Sequence, residues 1–271
     1  MAYDLAKPSP CLSKIVRSYW TIENCLTNGK EHVQRIVPNG LLELIFYLGD
    51  RPVSSGGIGI ISEKTMITGH LKEYYDLKVT GNLSLFSIMF NPHGLSLLFD
   101  LPVRELPNQL VPLRCISSVN TAELENRLYE ASSFVDRILI VERFLLDLLY
   151  KQRRKYNFER IEHCLKIINR SKCTVTIDQL AAEACFSRKQ FERVFSEYVG
   201  ATPKQFIKTI RFQHAISYKS RHMSATLTDL TYTCGYYDQA HMINDFKFLT
   251  GMTPKKYFES SEPFSDYFQT G

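Results

Sequence analysis

Residues 176–206 read TIDQLAAEACFSRKQFERVFSEYVGATPKQF, and residues 227–258 read LTDLTYTCGYYDQAHMINDFKFLTGMTPKKYF. Laid over each other at an offset of 51, Phe195 meets Phe246, Gly200 meets Gly251, and Thr202-Pro203-Lys204 meets Thr253-Pro254-Lys255. Upstream the best offset is 50, with Asp178 and Leu180 opposite Thr228 and Leu230, so one residue has been added near Gly235. Punctuation repeated at matched points indicates two copies of one supersecondary unit.

Each copy has a physical reading. A short helix is expected over 177–184, with Leu180 and Ala181 inward and small alanines at 181, 182 and 184 that let a second helix cross closely. Ser187, and Asp238 in the second copy, are suited to cap the next helix, because a short side-chain oxygen can accept a free first-turn N–H. That helix places Phe191, Val194, Phe195 and Tyr198 at i, i+3, i+4 and i+7, a core face, and turns Arg188, Lys189, Glu192 and Arg193 the other way. Gly200 is the expected left-handed terminator, and Pro203 opens the following helix where a missing N–H is tolerated. A short helix, a tight turn and a second helix with a polar outer face make a helix-turn-helix, here present twice.

Between the copies, Phe206, Ile207, Ile210, Phe212, Ala215 and Ile216 mark one continuous amphipathic helix. About 17 residues at 1.5 Å each span roughly 25 Å. With the helix widths added, the two outer helices are expected about 34 Å apart, one turn of B-form DNA.

Charge supports the same division. Residues 1–150 carry 14 Lys and Arg against 16 Asp and Glu, a net −2; residues 151–271 carry 19 against 12, a net +7. A basic half joined to a near-neutral half suggests a polyanion-binding domain attached to something else. The polar run Lys151-Gln-Arg-Arg-Lys155 marks the expected boundary between domains at 1–150 and 156–260. The fold class is α+β, with a mainly antiparallel N-terminal domain and an all-helical C-terminal domain.

In the first half, the runs HVQRIVPNG, LLELIFYLGD, KTMITGHL, YYDLKVTG and NLSLFSIMFNP are rich in β-branched and aromatic residues and bounded by turn residues. They predict a small antiparallel sheet or barrel, followed by helices near 121–131 and 134–150. The second of these helices carries apolar residues on more than one face, including Leu139, Ile140, Leu146 and Leu149, which suggests either a homodimer contact or burial within its own domain. His32, His70 and His93 read as satisfied core or surface histidines, Tyr19 and Trp20 as core, and Glu43 as an outward-facing residue of an apolar strand. The seven cysteines show no metal-finger spacing and read as reduced thiols. No Gly-rich phosphate loop, GxSxG or HExxH is present, and neither a signal peptide nor a membrane span is expected.

The pattern Ala184, Ser187, Phe191, Arg193, Phe195, Gly200, Thr202-Pro203, with CGYYDQAHMINDFKFLTGMTPKKYF in the second copy, resembles the AraC/XylS family of bacterial transcription regulators. The resemblance covers about residues 158–260 and implies seven helices and a linker helix between two DNA-reading units. It assigns the DNA-contacting set to Ser187, Arg188, Lys189, Glu192 and Arg193 in the first copy. In the second it assigns Gln239, Ala240, His241, Ile243, Asn244 and Lys247. Many family members have Arg where Asn244 stands, so the first copy is expected to carry more of the affinity. Residues 1–150 more loosely resemble cupin-like sensor domains. Together these imply a cytoplasmic activator that is not an enzyme and needs no cofactor or metal. Its implied partners are double-stranded DNA, RNA polymerase and an unknown small-molecule effector. The alternative is a small-molecule enzyme with a cupin-like barrel and an accessory DNA-binding domain.

Overall fold

The computed structural model describes residues 2–25, 31–99, 103–116, 121–151, 156–171 and 174–260. The first half contains β1 (Ala2–Ala6), β2 (Val16–Cys25), β3 (Glu31–Ile36), β4 (Leu42–Tyr47), β5 (Val53–Ser55), β6 (Thr65–Thr68), β7 (Tyr75–Thr80), β8 (Asn82–Phe90) and β9 (Leu110–Pro112). They form a six-stranded antiparallel sheet, β1-β2-β8-β4-β6-β9, and a three-stranded one, β3-β7-β5. The helices are α1 (Leu95–Leu98), α2 (Thr121–Glu130) and α3 (Phe134–Lys151).

The larger sheet is buried on both faces, which is why β4 is buried at every position. Successive side chains on a strand point oppositely. Leu42, Leu44 and Phe46 therefore join Tyr19, Phe86, Leu128 and Leu145 in a core beneath α2 and α3. Ile45 and Tyr47, on the opposite face with Glu43 between Leu42 and Leu44, join Trp20, Tyr75, Val79 and Leu85 in a second core facing the smaller sheet. The antiparallel pairing is as the sequence implied, while the division into two sheets and the strands β1, β2, β5 and β9 are added by the structure.

On α3, Ile140 and Leu149 pack against the domain's own core, which for these two favours burial over a dimer contact. Leu139 stays 62 % exposed and Leu146 39 %. Lys151 ends this helix, and residues 152–155 of the basic run lie outside the described residues.

The second half is helical among its described residues: α4 (Phe158–Arg170), α5 (Ile177–Glu183), α6 (Arg188–Val199), α7 (Pro203–Arg221), α8 (Leu227–Thr233), α9 (Gln239–Thr250) and α10 (Pro254–Glu259). The repeat in sequence is a repeat in structure. Thr176 and Thr226 cap α5 and α8 through reciprocal bonds with Gln179 and Asp229, the capping-box arrangement. Ser187 and Asp238 cap α6 and α9 as expected, and Gly200 and Gly251 end them at φ +79° and +73°.

Helix α7 ties the two units together by sharing its side chains between two cores. Phe206, Ile207 and Ile210 pack with Leu180, Phe191 and Phe195 of the first unit. Phe212, Ala215 and Ile216 pack with Leu230, Met242 and Phe246 of the second. The units are therefore held in one orientation by a single rigid element.

The first half packs on the same helix from the other side. Gln213 donates to the Pro38 carbonyl at 2.7 Å, Arg35 to the Thr250 carbonyl at 3.1 Å, and Val37 lies within the second unit's core. The His93 ring lies against Phe158, tilted by 32° with ring centres 4.4 Å apart, and the His70 ring lies 6.0 Å from Phe206.

Candidate nucleic-acid interface and ligand cavity

The turn within each helix-turn-helix is closed by the same backbone device. After α5, the N–H of Cys185 bonds to the Ala182 carbonyl and that of Phe186 to the Ala181 carbonyl, each at 2.9 Å. Reaching both requires a left-handed residue at 185, where φ is +55°. After α8 the matching bond is Tyr236 N–H to the Thr231 carbonyl, 3.0 Å, with Gly235 at φ +76°. The second turn is one residue longer, which is the shift in offset seen in the sequence.

On α6, Ser187 accepts the Gln190 N–H at 3.3 Å, so its hydroxyl fixes the start of the helix. Arg188 bridges Asp178 at 3.1 Å and Glu192 at 3.4 Å, which pins α6 to α5. Lys189 is exposed, and Arg193 is exposed but paired with Glu197 at 2.7 Å. Glu197 is also reached by Arg104 of the N-terminal half, at 3.5 Å.

On α9, Gln239 donates to Thr228 Oγ1 at 2.9 Å, while Ala240, Asn244 and Lys247 are exposed. Ile243 is half-buried. His241 does not stand clear with them. Its Nε2 lies 3.3 Å from Arg211 and 3.5 Å from Asp245, because one turn of helix brings residues 241 and 245 onto the same face toward α7.

Asp245 was not singled out in the sequence, yet it organises this contact. It is buried between α9 and α7, with Lys208 at 3.8 Å and Arg211 at 4.0 Å. Burial pushes its carboxyl up, against the pull of His241, Lys208 and Arg211. Its sequence signal was its place as the lone acid of α9, at i+4 from His241.

The N-terminal parts of both outer helices are exposed, and the N-terminal half meets the other ends of these helices. Val103 packs at Gly200, the C-terminus of α6, and Tyr74 at Gly251, the C-terminus of α9. The helix-turn-helix mode of binding presents the N-terminal part of the second helix to the major groove, and these N-terminal parts are the exposed ones.

The N-terminal half holds a cavity of about 380 Å³ between its two sheets, lined by Trp20, Tyr47, Tyr75, Leu85 and Glu43 among others. Trp20 belongs to the core as expected and also lines this cavity. The reading of Glu43 changes: it points inward, because β4 is covered on both faces and has no outward side. Ser87 Oγ donates to Glu43 Oε2 at 3.0 Å. Burial pushes the Glu43 carboxyl up to about 7, with hydrogen bonds from Ser87 and Trp20 opposing it.

His70 and His93 are also corrected. Both are buried, and their ring nitrogens have no hydrogen-bond partner among the described residues, so burial drives each down to about 4. Among the described residues no three of His, Cys, Asp and Glu converge as a metal-binding group. No described helix is long and apolar enough to cross a membrane.

Residues 180–260 match a family model described as a helix-turn-helix domain, and residues 5–112 match one described as a domain of unknown function (DUF6597). Over 82 residues the chain is 27 % identical to the HTH-type transcriptional regulator ArgR of Pseudomonas aeruginosa, covering 30 % of this chain and 25 % of that one. Over 86 residues it is 28 % identical to the HTH-type transcriptional activator RhaR of Escherichia coli, covering 32 % and 30 %. The matched region thus spans less than a third of these relatives. Among solved structures, ToxT from Vibrio cholerae is similar at a TM-score of 0.47 and 13 % identity, over 89 % of this chain and 97 % of that one. The doubled unit, its matched caps and the family match at residues 180–260 identify the C-terminal half of this chain as a helix-turn-helix domain of the AraC/XylS type.

Proposed function

We propose that the chain is a sequence-specific DNA-binding transcriptional regulator whose N-terminal domain, residues 1–150, senses a small molecule and whose residues 156–260 read DNA. The observation that carries this reading is the pair of outer helices fixed on one shared helix, with exposed polar faces and N-terminal ends. Lys189 and Arg193 supply charge and guanine contact in the first unit. Gln239, Ala240 and Asn244 supply neutral base contact in the second, and Lys247 reaches phosphate. Ser187 and Arg188 set the position of α6, with Glu192 beside them, and His241 and Ile243 support α9 from its half-buried side.

The cavity around Glu43 is the natural place for an effector. The exposed Leu139 and Leu146 on α3 support a homodimer contact. We place the protein in a bacterial cytoplasm, acting on RNA polymerase as an activator, the role that the name of RhaR states for that relative.

The test selects bound sites from a random duplex pool with the full chain, then measures affinity over a salt series. Binding should weaken steeply with salt, because basic residues displace counterions from the phosphates. Arg193→Ala should relax base preference in one half of the site, since a bidentate Arg–guanine pair is worth about 1–3 kcal/mol of discrimination. Asn244→Ala should cost less and leave the salt slope nearly unchanged. Absence of DNA binding at low salt would refute the reading, and an Arg193→Ala variant with wild-type affinity and base preference would refute the unequal roles.

A further inference from the structure

We propose that the cavity between the two sheets takes a small organic cation, an ammonium-type headgroup on an apolar body, with Glu43 as its counter-ion. This rests on the reading of the N-terminal domain as a sensor and adds the chemical class of its ligand.

The charge of the lining is one-sided. Glu43 and Glu31 are its carboxylates, and no Lys or Arg lines it among the described residues. At the rim, Glu31 is paired with Lys78 at 2.7 Å and stays exposed. Glu43 is the deep one, 8 % exposed, with neutral donors as its neighbours. A carboxylate buried without a cation is unfavourable unless it takes up a proton, which is why Glu43 is held near neutrality in its titration. A ligand cation can replace that proton.

The walls suit the rest of such a molecule. Trp20, Tyr47 and Tyr75 surround the acid, and both tyrosine hydroxyls feel its charge. Aromatic faces attract cations, most strongly where water is excluded. Ile45, Val79 and Leu85 offer apolar surface to a hydrocarbon or aromatic body. An anion would meet Glu43 head-on, and a polyol would leave the apolar walls at Ile45, Val79 and Leu85 without a partner. His32, the remaining titratable lining residue, has its Nε2 3.3 Å from Gln34. The volume is that of an ordinary small-ligand pocket.

The chain has one tryptophan, and it lines this cavity, so its fluorescence reports the site directly. The experiment titrates the full chain at pH 8 with phenylalkylammonium ions from benzyl to 4-phenylbutyl, and with the alcohols and carboxylates of matching length. The expected result is that at least one ammonium ion binds about tenfold or more tightly than its alcohol, with the carboxylates weakest. Glu43→Gln should erase the preference while the alcohol's affinity is kept. In the wild type the ammonium affinity should fall from pH 8 to pH 6 as Glu43 takes up a proton, and that of the alcohol should stay flat. Equal or tighter binding of the alcohol or carboxylate, a preference that survives in Glu43→Gln, or no fluorescence response to any ammonium ion would overturn the proposal. DNA binding of the same preparation is measured without ligand. Its loss would strike the regulator reading alone, and its presence beside a failed titration would strike this proposal alone.

Discussion

Replacing His93 with Leu tests whether the joint between the two halves is built on a neutral histidine. His93 lies between β8 and α1, 4 % exposed and packed against the ring of Phe158 of α4. Burial lowers its pKa from 6.5 to about 4, with Glu162 pulling upward and Lys166 and Lys14 pushing down. The unfolded chain binds this proton below about pH 6.5, and the folded chain resists it until about pH 4. Stability is therefore whole above pH 6.5 and is lost as pH falls through this window. At about 1.36 kcal/mol per pKa unit, the loss attributable to His93 is about 2 kcal/mol at pH 5 and about 3 kcal/mol at pH 4.

Glu43 runs the opposite way. Its raised pKa means that stability is lost as pH rises from 4.5 toward 7, so the raw pH curve of the wild type mixes both signs. The informative quantity is the difference between wild type and His93→Leu, because groups that do not feel His93, Glu43 among them, cancel. Urea unfolding of both proteins, followed by circular dichroism at pH 7.5 and pH 5, should show that the wild type loses about 2 kcal/mol more than the variant. A difference that stays constant between the two pH values would refute the assignment of a buried, neutral His93.

Three further outcomes follow from local geometry. Cys185 holds a left-handed φ of +55° where the second unit has Gly235, so Cys185→Gly should raise stability by about 0.5–1 kcal/mol in urea unfolding, and an unchanged midpoint would argue against strain there. Phe212 is fully buried, with ring centres 4.9 Å from Phe246 and 6.0 Å from Tyr257, so Phe212→Ala should lose about 3–5 kcal/mol; a loss under about 1 kcal/mol would mean that this core repacks freely. Glu197 holds Arg193 and adds negative charge beside the proposed DNA face, so Glu197→Gln should tighten DNA binding, most at low salt where charge is least screened; weaker binding would show that Glu197 positions Arg193.

The second half was legible in the sequence because its signals are local. Caps at Ser187 and Asp238, left-handed glycines at 200 and 251, and prolines at 203 and 254 each act through the backbone of their own turn, so their positions alone locate helix ends. The apolar spacing of Phe191, Val194 and Phe195 likewise chose the buried face of α6.

Longer-range facts needed the fold. Strand β2 mixes Trp20 and Ile22 with Arg17, Ser18 and Glu23, and only pairing with β1 and β8 makes it the interior strand it is. Glu43 looked outward because alternation in an isolated strand assumes one wet face, and the second sheet removes that face. His241 looked free because helical spacing cannot report that α7 brings Arg211 beside it. Residue types and their spacing determined the paired units and their ends, since these depend on interactions within a turn or two of chain. The tertiary structure decided which polar groups are dry, because burial depends on what distant segments cover, and that covering turned Glu43, His70, His93 and Asp245 into perturbed groups.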